Sequence, residues 1–492
     1  MKQLKKVGAL VLALSMVVSL AACGKEEEVQ PQVTQAPIVV ANNDAATGDQ
    51  TEVVANNDKG SDPYQIITDA NGKAVDLGGI TIQIADWFYA PSDANSAYRE
   101  AQEEWHEWLE KTYNFNMEGL NYSTWSNMSS DYINYATTGG DEYYIFTLHQ
   151  GDTGAASAMS QGLMYDLASI DCLDFTDPKW DKGVMGFSTR GDKIFAMRGQ
   201  EAEPRNGVYF NKRILKEAGI NPDDLYTWQE DGTWTWDKFE EVCEKVQKDF
   251  DNDGVIDQYA MACFNSYFYP SAVFSNKGNF ISIDKDGNYY SNLESNETLE
   301  ALNWAKEMRA KYNMPQPEDG QWDYFLPAFE SGKVAFMVHQ TYVAGERLNN
   351  NCVDDFGFVC FPKGNNVDGY YTYTEDNLFV IPACYSKEKA EKIAFAFNLW
   401  TEPVPGYEGY PAWKYSYYNN FRDTEAVDIT LPHLIDPQFI TARFDSAVYG
   451  LVGNDGIHGS MLMWKLDSQT PAEIMEEIRG TVQAYLDEHN GK

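Results

Sequence analysis

The densest run of potential ligand groups is Asp249-Phe-Asp251-Asn-Asp253-Gly254-Val255-Ile-Asp257. Its carboxylates fall at positions 1, 3, 5 and 9, with glycine at 6. Hard divalent cations take several oxygen ligands, and a glycine at the sharp turn lets the flanking acids point inward. The spacing predicts a structural calcium loop held by Asp249, Asp251, Asp253 and Asp257 and by the backbone carbonyl of Val255. Position 12 is Ala260 rather than a bidentate acid, so a remote acid or water must complete the shell. A solvated acidic turn after a helix is the alternative. Asp284-Lys-Asp-Gly-Asn288 reads only as a hairpin turn.

A second chemistry is aromatic. Phe, Trp and Tyr make up 14% of the chain, and 31 residues are Tyr. Most of these rings must be core, so position has to select among them. Sugars present apolar C–H faces and hydroxyl edges, which suit aromatic platforms flanked by carboxylates and amides. In α/β folds, sites gather beyond the carboxyl ends of strands. Trp87, with Phe88 and Tyr89, follows the first predicted strand. His149, Gln150 and Asp152 follow a second. Enzyme signatures are absent: no His-Glu-x-x-His, no Gly-x-Ser-x-Gly, no P-loop and no dinucleotide glycine pattern. The six histidines have no ligand spacing. Paired carboxylates for glycoside hydrolysis remain possible, since 75 acids allow many pairs.

The elements that must position these groups alternate. Ile-Thr-Ile-Gln-Ile-Ala at 80–85 has strand periodicity, 94–112 is helical with Trp105, Trp108 and Leu109 on one face, and 143–146 is again a strand. Strand, helix and strand at this spacing predict a parallel α/β sheet. Further on come a short strand at 193–197 and a helix at 211–218 closed by Gly219. Amphipathic helices are expected at 236–248 and 471–488, and a helix at 393–400 that ends before Pro403.

The N-terminus carries a different message. Lys2, Lys5 and Lys6 precede an apolar run at 7–20 that is too short to span a bilayer. It ends in Leu20-Ala21-Ala22-Cys23-Gly24, which resembles a bacterial lipoprotein signal. That resemblance implies cleavage after residue 22 and acylation of Cys23. Residues 23–63 have no aromatic side chain and repeat Val-Val-Ala-Asn-Asn-Asp. Such a segment buries too little apolar surface to offset its ordering entropy and reads as a disordered tether. The remaining residues amount to two domains or one bilobed unit. Formal net charge is −38, or −41 once the three leader lysines are removed. That excludes nucleic acid and anionic lipid as partners of the body. The six cysteines beyond Cys23 lack paired spacing and are expected to be buried free thiols.

Six ordered blocks carry a more specific resemblance. Gly162-Leu-Met-Tyr-Asp-Leu167, Gly207-Val-Tyr-Phe-Asn-Lys-Arg213 with Ala218-Gly-Ile220, and Thr235-Trp236 with Phe239 come first. Phe329-Glu-Ser-Gly-Lys-Val-Ala-Phe-Met337, Phe358-Val-Cys-Phe-Pro-Lys-Gly364 and Leu378-Phe-Val-Ile-Pro382 with Ala390 follow. Together they resemble the family 1 extracellular solute-binding proteins, of the maltose-binding type. The resemblance implies a bilobed, type II periplasmic-binding-protein-like α/β fold with a ligand cleft. Lobe 1 is expected over 64–200 and 357–402, and lobe 2 over 201–356 and 403–492. It also implies that Glu203 and Arg205 sit at the first crossing and that His339, Gln340 and Tyr342 follow a block that supplies a stacking aromatic. Trp413 and Tyr415, after the last crossing, are further candidates. The function implied is capture of a mono- or oligosaccharide by an extracytoplasmic, lipid-anchored monomer that serves the permease subunits of an ABC importer, without catalysis. A secreted glycosidase and a non-transporting surface adhesin are the alternatives.

Overall fold

Alternating Ile80-Thr-Ile-Gln-Ile-Ala-Asp86 forms strand β1 (Ile80–Asp86) of the computed structural model, in which residues 64–89, 97–199, 203–448, 450–451 and 459–492 are described. The leader, the 23–63 tether and Cys23 lie outside the described residues. The helix Ala97–Tyr113 returns the chain to β2 (Phe115–Asn121), burying Trp105, Leu109 and Tyr113. The helix Met128–Thr138 then leads to β3 (Tyr143–His149). Both β2 and β3 pair with β1 in parallel, the arrangement that strand–helix–strand spacing predicts. The strand expected at 193–197 is shorter: β4 (Thr189–Arg190) and β5 (Lys193–Ile194) form a small hairpin.

A second sheet begins at β6 (Asn206–Asn211), buried along its whole length. Asn211 caps the following helix, Lys212–Glu217, by accepting a hydrogen bond from Ile214 N at 3.0 Å. The helix Trp236–Val246 turns Trp236, Phe239, Val242, Cys243 and Val246 inward, and β7 (Tyr259–Met261) follows. The predicted turn at 284–288 joins β8 (Ile281–Ile283) to β9 (Tyr289–Ser291), with Gly287 at positive φ. Next come β10 (Val334–Gln340), also wholly buried, and β11 (Phe356–Cys360). The second sheet has the order β11-β6-β10-β7. Continuous apolar runs in β6, β10 and β11 are what strands covered on both faces require.

The chain then passes through β12 (Thr372–Thr374) and returns to the first sheet as β13 (Asn377–Val380), antiparallel to β3. The first sheet thus reads β13-β3-β1-β2. This moves one expected boundary. The sequence put the return to the first lobe at 356–357, yet β11 hydrogen-bonds to β6 from Phe356 to Cys360. The crossing comes after Thr374. The helix Lys387–Trp400 packs on β3, and β14 (Ile440–Ala442) pairs with β12. Residues 440–447 touch the helices Thr153–Ser160 and Lys182–Ser188 that follow β3, and also the short strands β8 and β12. A capping box of Thr470 and Glu473 opens the last helix, Pro471–His489.

Of the six described cysteines, all are free, but only Cys243, Cys263 and Cys360 are buried. Cys172 and Cys352 are half-buried and Cys384 is exposed, so the expectation of uniformly buried thiols is corrected. No described helix is long and apolar enough to cross a membrane.

Candidate ligand-binding site

Three parallel strands deliver their C-terminal ends to one edge of the first sheet. Trp87 follows β1, Trp125 follows β2 and His149 closes β3. The Trp87 and Trp125 ring centroids are 5.5 Å apart, and Trp125 is 5.1 Å from His149. Trp125 is 53% exposed, so these rings form a shelf rather than core. From the second sheet, β10 delivers His339 and then Tyr342. Tyr267 lies 4.4 Å and Tyr342 5.6 Å from the His339 ring. Tyr342 is 39% exposed.

The two crossing segments meet in a buried ionic cluster. Glu203 accepts at 2.6 Å from both Arg198 and Arg205. Asp376, wholly buried, lies 3.4 Å from Arg205 Nε and 3.8 Å from Arg198 Nη1. Next to it, Glu375 accepts from Gln340 Nε2 at 3.1 Å and pairs with Arg443. Gln150 is bound on both sides: its N–H donates to Asp376 O at 3.0 Å, and its Oε1 accepts from Asp376 N at 2.6 Å. The second sheet is tied in by Thr341, whose N–H donates to Arg205 O at 2.8 Å.

Burial and charge set the protonation states. Burial alone would raise Glu203, but Arg198 and Arg205 reverse this and hold it down at about 2. For Asp376 the burial outweighs the same two guanidiniums, and its pKa rises. Burial, with Arg205 adding, depresses His149 to about 3. Burial also depresses His339 to about 3, so both imidazoles are neutral near pH 7. Several buried polar atoms here lack a protein hydrogen-bond partner: Arg198 Nε and Nη1, Asp376 Oδ2, and both side-chain atoms of Asn206. Such atoms are satisfied by water or ligand in native proteins. Donors and acceptors lie side by side, which suits groups that both donate and accept hydrogen bonds, as hydroxyls do.

The profile of the bacterial extracellular solute-binding proteins matches residues 93–397, more than half of the chain. The chain belongs to this family. Residence outside the cytoplasm follows from that membership. No curated protein sequence matches significantly. Among solved structures, the cyclic α-maltosyl-1,6-maltose binding protein of Arthrobacter globiformis is similar at TM-score 0.58 and 15% identity, over 84% of this chain and 100% of that one. UgpB of Mycobacterium tuberculosis, solved with glycerophosphocholine, is similar at TM-score 0.55 and 16% identity, over 84% and 99%. The ABC transporter associated binding protein of B. animalis subsp. lactis Bl-04, solved with β-1,6-galactobiose, gives TM-score 0.54 and 14% identity, over 83% and 98%. At these identities the likeness is one of fold: the bilobed type II architecture, with one four-stranded sheet in each lobe.

In this solute-binding protein the residues nominated from sequence separate into groups. Trp87 lies on the first lobe's shelf, and Glu203 and Arg205 lie in the ionic cluster. Gln150 is consumed by Asp376. Asp152 caps the helix Thr153–Ser160, accepting from Gly154 N at 3.1 Å and from the Ser129 hydroxyl. His339 is buried, its Nδ1 accepting from Gln340 N at 2.8 Å, while Tyr342 stands beside it exposed. Trp413 packs its ring 6.0 Å from Tyr417 and is half-buried. Of the other residues named, Gln340 is taken by Glu375, and Tyr415 stacks on Tyr410 at 5.3 Å.

Sequence reasoning did not nominate Trp125, Arg198, Asn206, Tyr267 or Asp376. The family blocks imply a first crossing near residues 198–207, which includes Arg198 and Asn206, so that signal was available. Nothing local marks Asp376, which acquires its role only by tertiary contact. In the acidic loop, one oxygen each from Asp249, Asp251 and Asp257 lie within 4.8 Å of one another. Asp253 stays out of that group, and its Oδ1 accepts from Val255 N at 2.7 Å. Asp249 Oδ1 is buried without a partner. An all-oxygen set of this kind fits a hard cation.

Proposed function

We propose that this protein captures a carbohydrate between its two lobes and delivers it to the permease subunits of an ABC importer. One observation carries the reading: aromatic shelves, Trp87 and Trp125 on one side and Tyr267 and Tyr342 on the other, flank a floor of buried donors and acceptors. Rings take the apolar faces of a sugar and the floor takes its hydroxyls. A similar protein named for binding cyclic α-maltosyl-1,6-maltose and another solved with β-1,6-galactobiose agree with this. The glycerophosphocholine of a third points to a polyol phosphodiester. Here, however, Arg198 and Arg205 both already face Glu203 and Asp376, which leaves neither of them as a free countercharge for phosphate.

The mechanism is conformational and involves no turnover. The lobes close about the crossings at 198–205 and 374–377, and a ligand shifts that equilibrium only by its differential affinity for the closed state. The protein acts as a monomer, anchored by acylated Cys23 through the 23–63 tether. Calcium, held by Asp249, Asp251 and Asp257, would stiffen the loop after the helix Trp236–Val246. It takes no part in ligand capture.

A thermal-shift screen of the mature body against glycans and glycerophosphodiesters tests the reading. A ligand at about a hundred times its Kd adds about 2.7 kcal/mol of stability. A shift with a sugar and no product formed is the expected result. Stabilisation by glycerophosphodiesters alone, or hydrolysis of a glycan, overturns it.

A further inference from the structure

Arg190 leaves the first lobe and ends on the second. It lies in the small hairpin of β4 and β5, and its Nη1 donates to Tyr289 Oη at 2.8 Å, 99 residues away in sequence. The same nitrogen donates to Phe187 O and Thr189 O, each at 2.8 Å, and Nη2 donates to Ala447 O at 3.0 Å. The guanidinium carbon sits 5.2 Å from the centre of the Tyr289 ring. All four acceptors are neutral. Burial lowers the pKa of Arg190, and only the Tyr289 hydroxyl works against it. Withdrawing a cation from water without a countercharge is costly, so packing alone does not account for an arginine at this place.

Each end of the contact is seated in its own lobe. On the first side, the Phe195 N–H donates to Ser188 O at 3.2 Å, and Met197 exchanges two hydrogen bonds of 3.0 Å with Phe379 of β13. The hairpin that carries Arg190 is thereby tied to the first sheet. On the second side, Tyr289 opens β9 and is 4% exposed. The Asn490 side chain takes both of its backbone groups, accepting from Tyr289 N at 2.9 Å and donating to Tyr289 O at 2.8 Å. The helix Pro471–His489 packs on β9 and on the helix Asn296–Tyr312, which packs on β7 of the second sheet. Neither Arg190 nor Tyr289 belongs to the crossings at 198–205 and 374–377. The contact joins the lobes through space. A rotation about the crossings displaces one hairpin against the other, and a hydrogen bond of this kind is lost once its atoms part by more than about 3.5 Å.

We infer that Arg190 and Tyr289 form a latch between the lobes, which holds them in the arrangement described above and releases when the cleft opens. This goes beyond solute capture and holds whatever the solute is. The guanidinium regains water as the contact breaks, which offsets most of the bond that is lost. The latch therefore biases the lobes toward closure without preventing entry.

Small-angle scattering of the ligand-free mature body tests it. The wild type scatters as the compact arrangement. Tyr289→Phe, which removes only the hydroxyl, and Arg190→Gln each increase the radius of gyration, as the open form gains roughly tenfold over the closed one. The double variant gains no more than either single variant, because both break the same bond. Additive gains would mean separate local damage and overturn the latch. An unchanged radius in both variants, or wild-type scattering that already fits separated lobes, overturns it as well.

Discussion

Gln150 and Asp376 bind each other through two hydrogen bonds, 226 residues apart in sequence: Gln150 N–H to Asp376 O at 3.0 Å, and Asp376 N–H to Gln150 Oε1 at 2.6 Å. The pair fastens the segment by which the chain re-enters the first lobe to the end of β3. Through Arg205 and Glu203 the same aspartate also reaches the other crossing. The two crossings are therefore joined through Asp376, a carboxylate wholly out of water, and through Glu203, whose side chain is one-third exposed.

Gln150→Ala should cost about 1–3 kcal/mol, because it strands the buried Asp376 N–H. Urea denaturation of the ligand-free mature body reads this directly. A change within ±0.5 kcal/mol, the usual range for a neutral surface substitution, would show that the clamp is dispensable.

Tyr342→Ala should weaken sugar binding while the melting temperature stays nearly the same. Its ring is 39% exposed and its neighbours His339 and Tyr267 remain packed without it. Removing a stacking ring typically costs about 1 kcal/mol or more. Unchanged affinity would remove Tyr342 from the site.

Stability should fall as pH is lowered from about 6.5 toward 3. His149 and His339 are held neutral at about 3 against an ordinary value of 6.5, so the unfolded chain takes up protons first. Below the ordinary value of 4.5, Glu203, depressed to about 2, contributes loss in the same direction. Asp376 is raised and opposes this trend, since the folded state takes its proton more readily. His339→Asn should flatten the upper part of the profile, measured as the denaturation midpoint between pH 7 and 5. An identical slope in that variant would assign the dependence elsewhere.

Calcium should raise the melting temperature of chelator-treated protein, and Asp249→Asn with Asp251→Asn should abolish the effect. Sugar affinity measured by calorimetry should be the same with and without the ion. A calcium-dependent affinity would mean that the loop communicates with the lobes.

Much of this architecture was legible locally. Strand periodicity at 80–85, the capped helices after Asn211 and Thr235, and the acidic loop's spacing each depend on residues within about a dozen positions. Such short-range patterns report on backbone conformation and on which face is buried. The ordered blocks between 162 and 390 carried the fold and family in the same way.

Partners distant in sequence were decided by the tertiary structure. Phe356–Cys360 is an apolar run compatible with either sheet, and its hydrogen bonds to β6 assign it to the second. Gln150 and Asp152 have the composition of ligand contacts, yet one is satisfied by Asp376 and the other by a helix terminus. Arg198, Arg205, Glu203 and Asp376 become a single electrostatic unit only once the crossings meet. Composition specifies what a polar side chain can bind, and burial beside a particular partner decides whether that capacity is already spent.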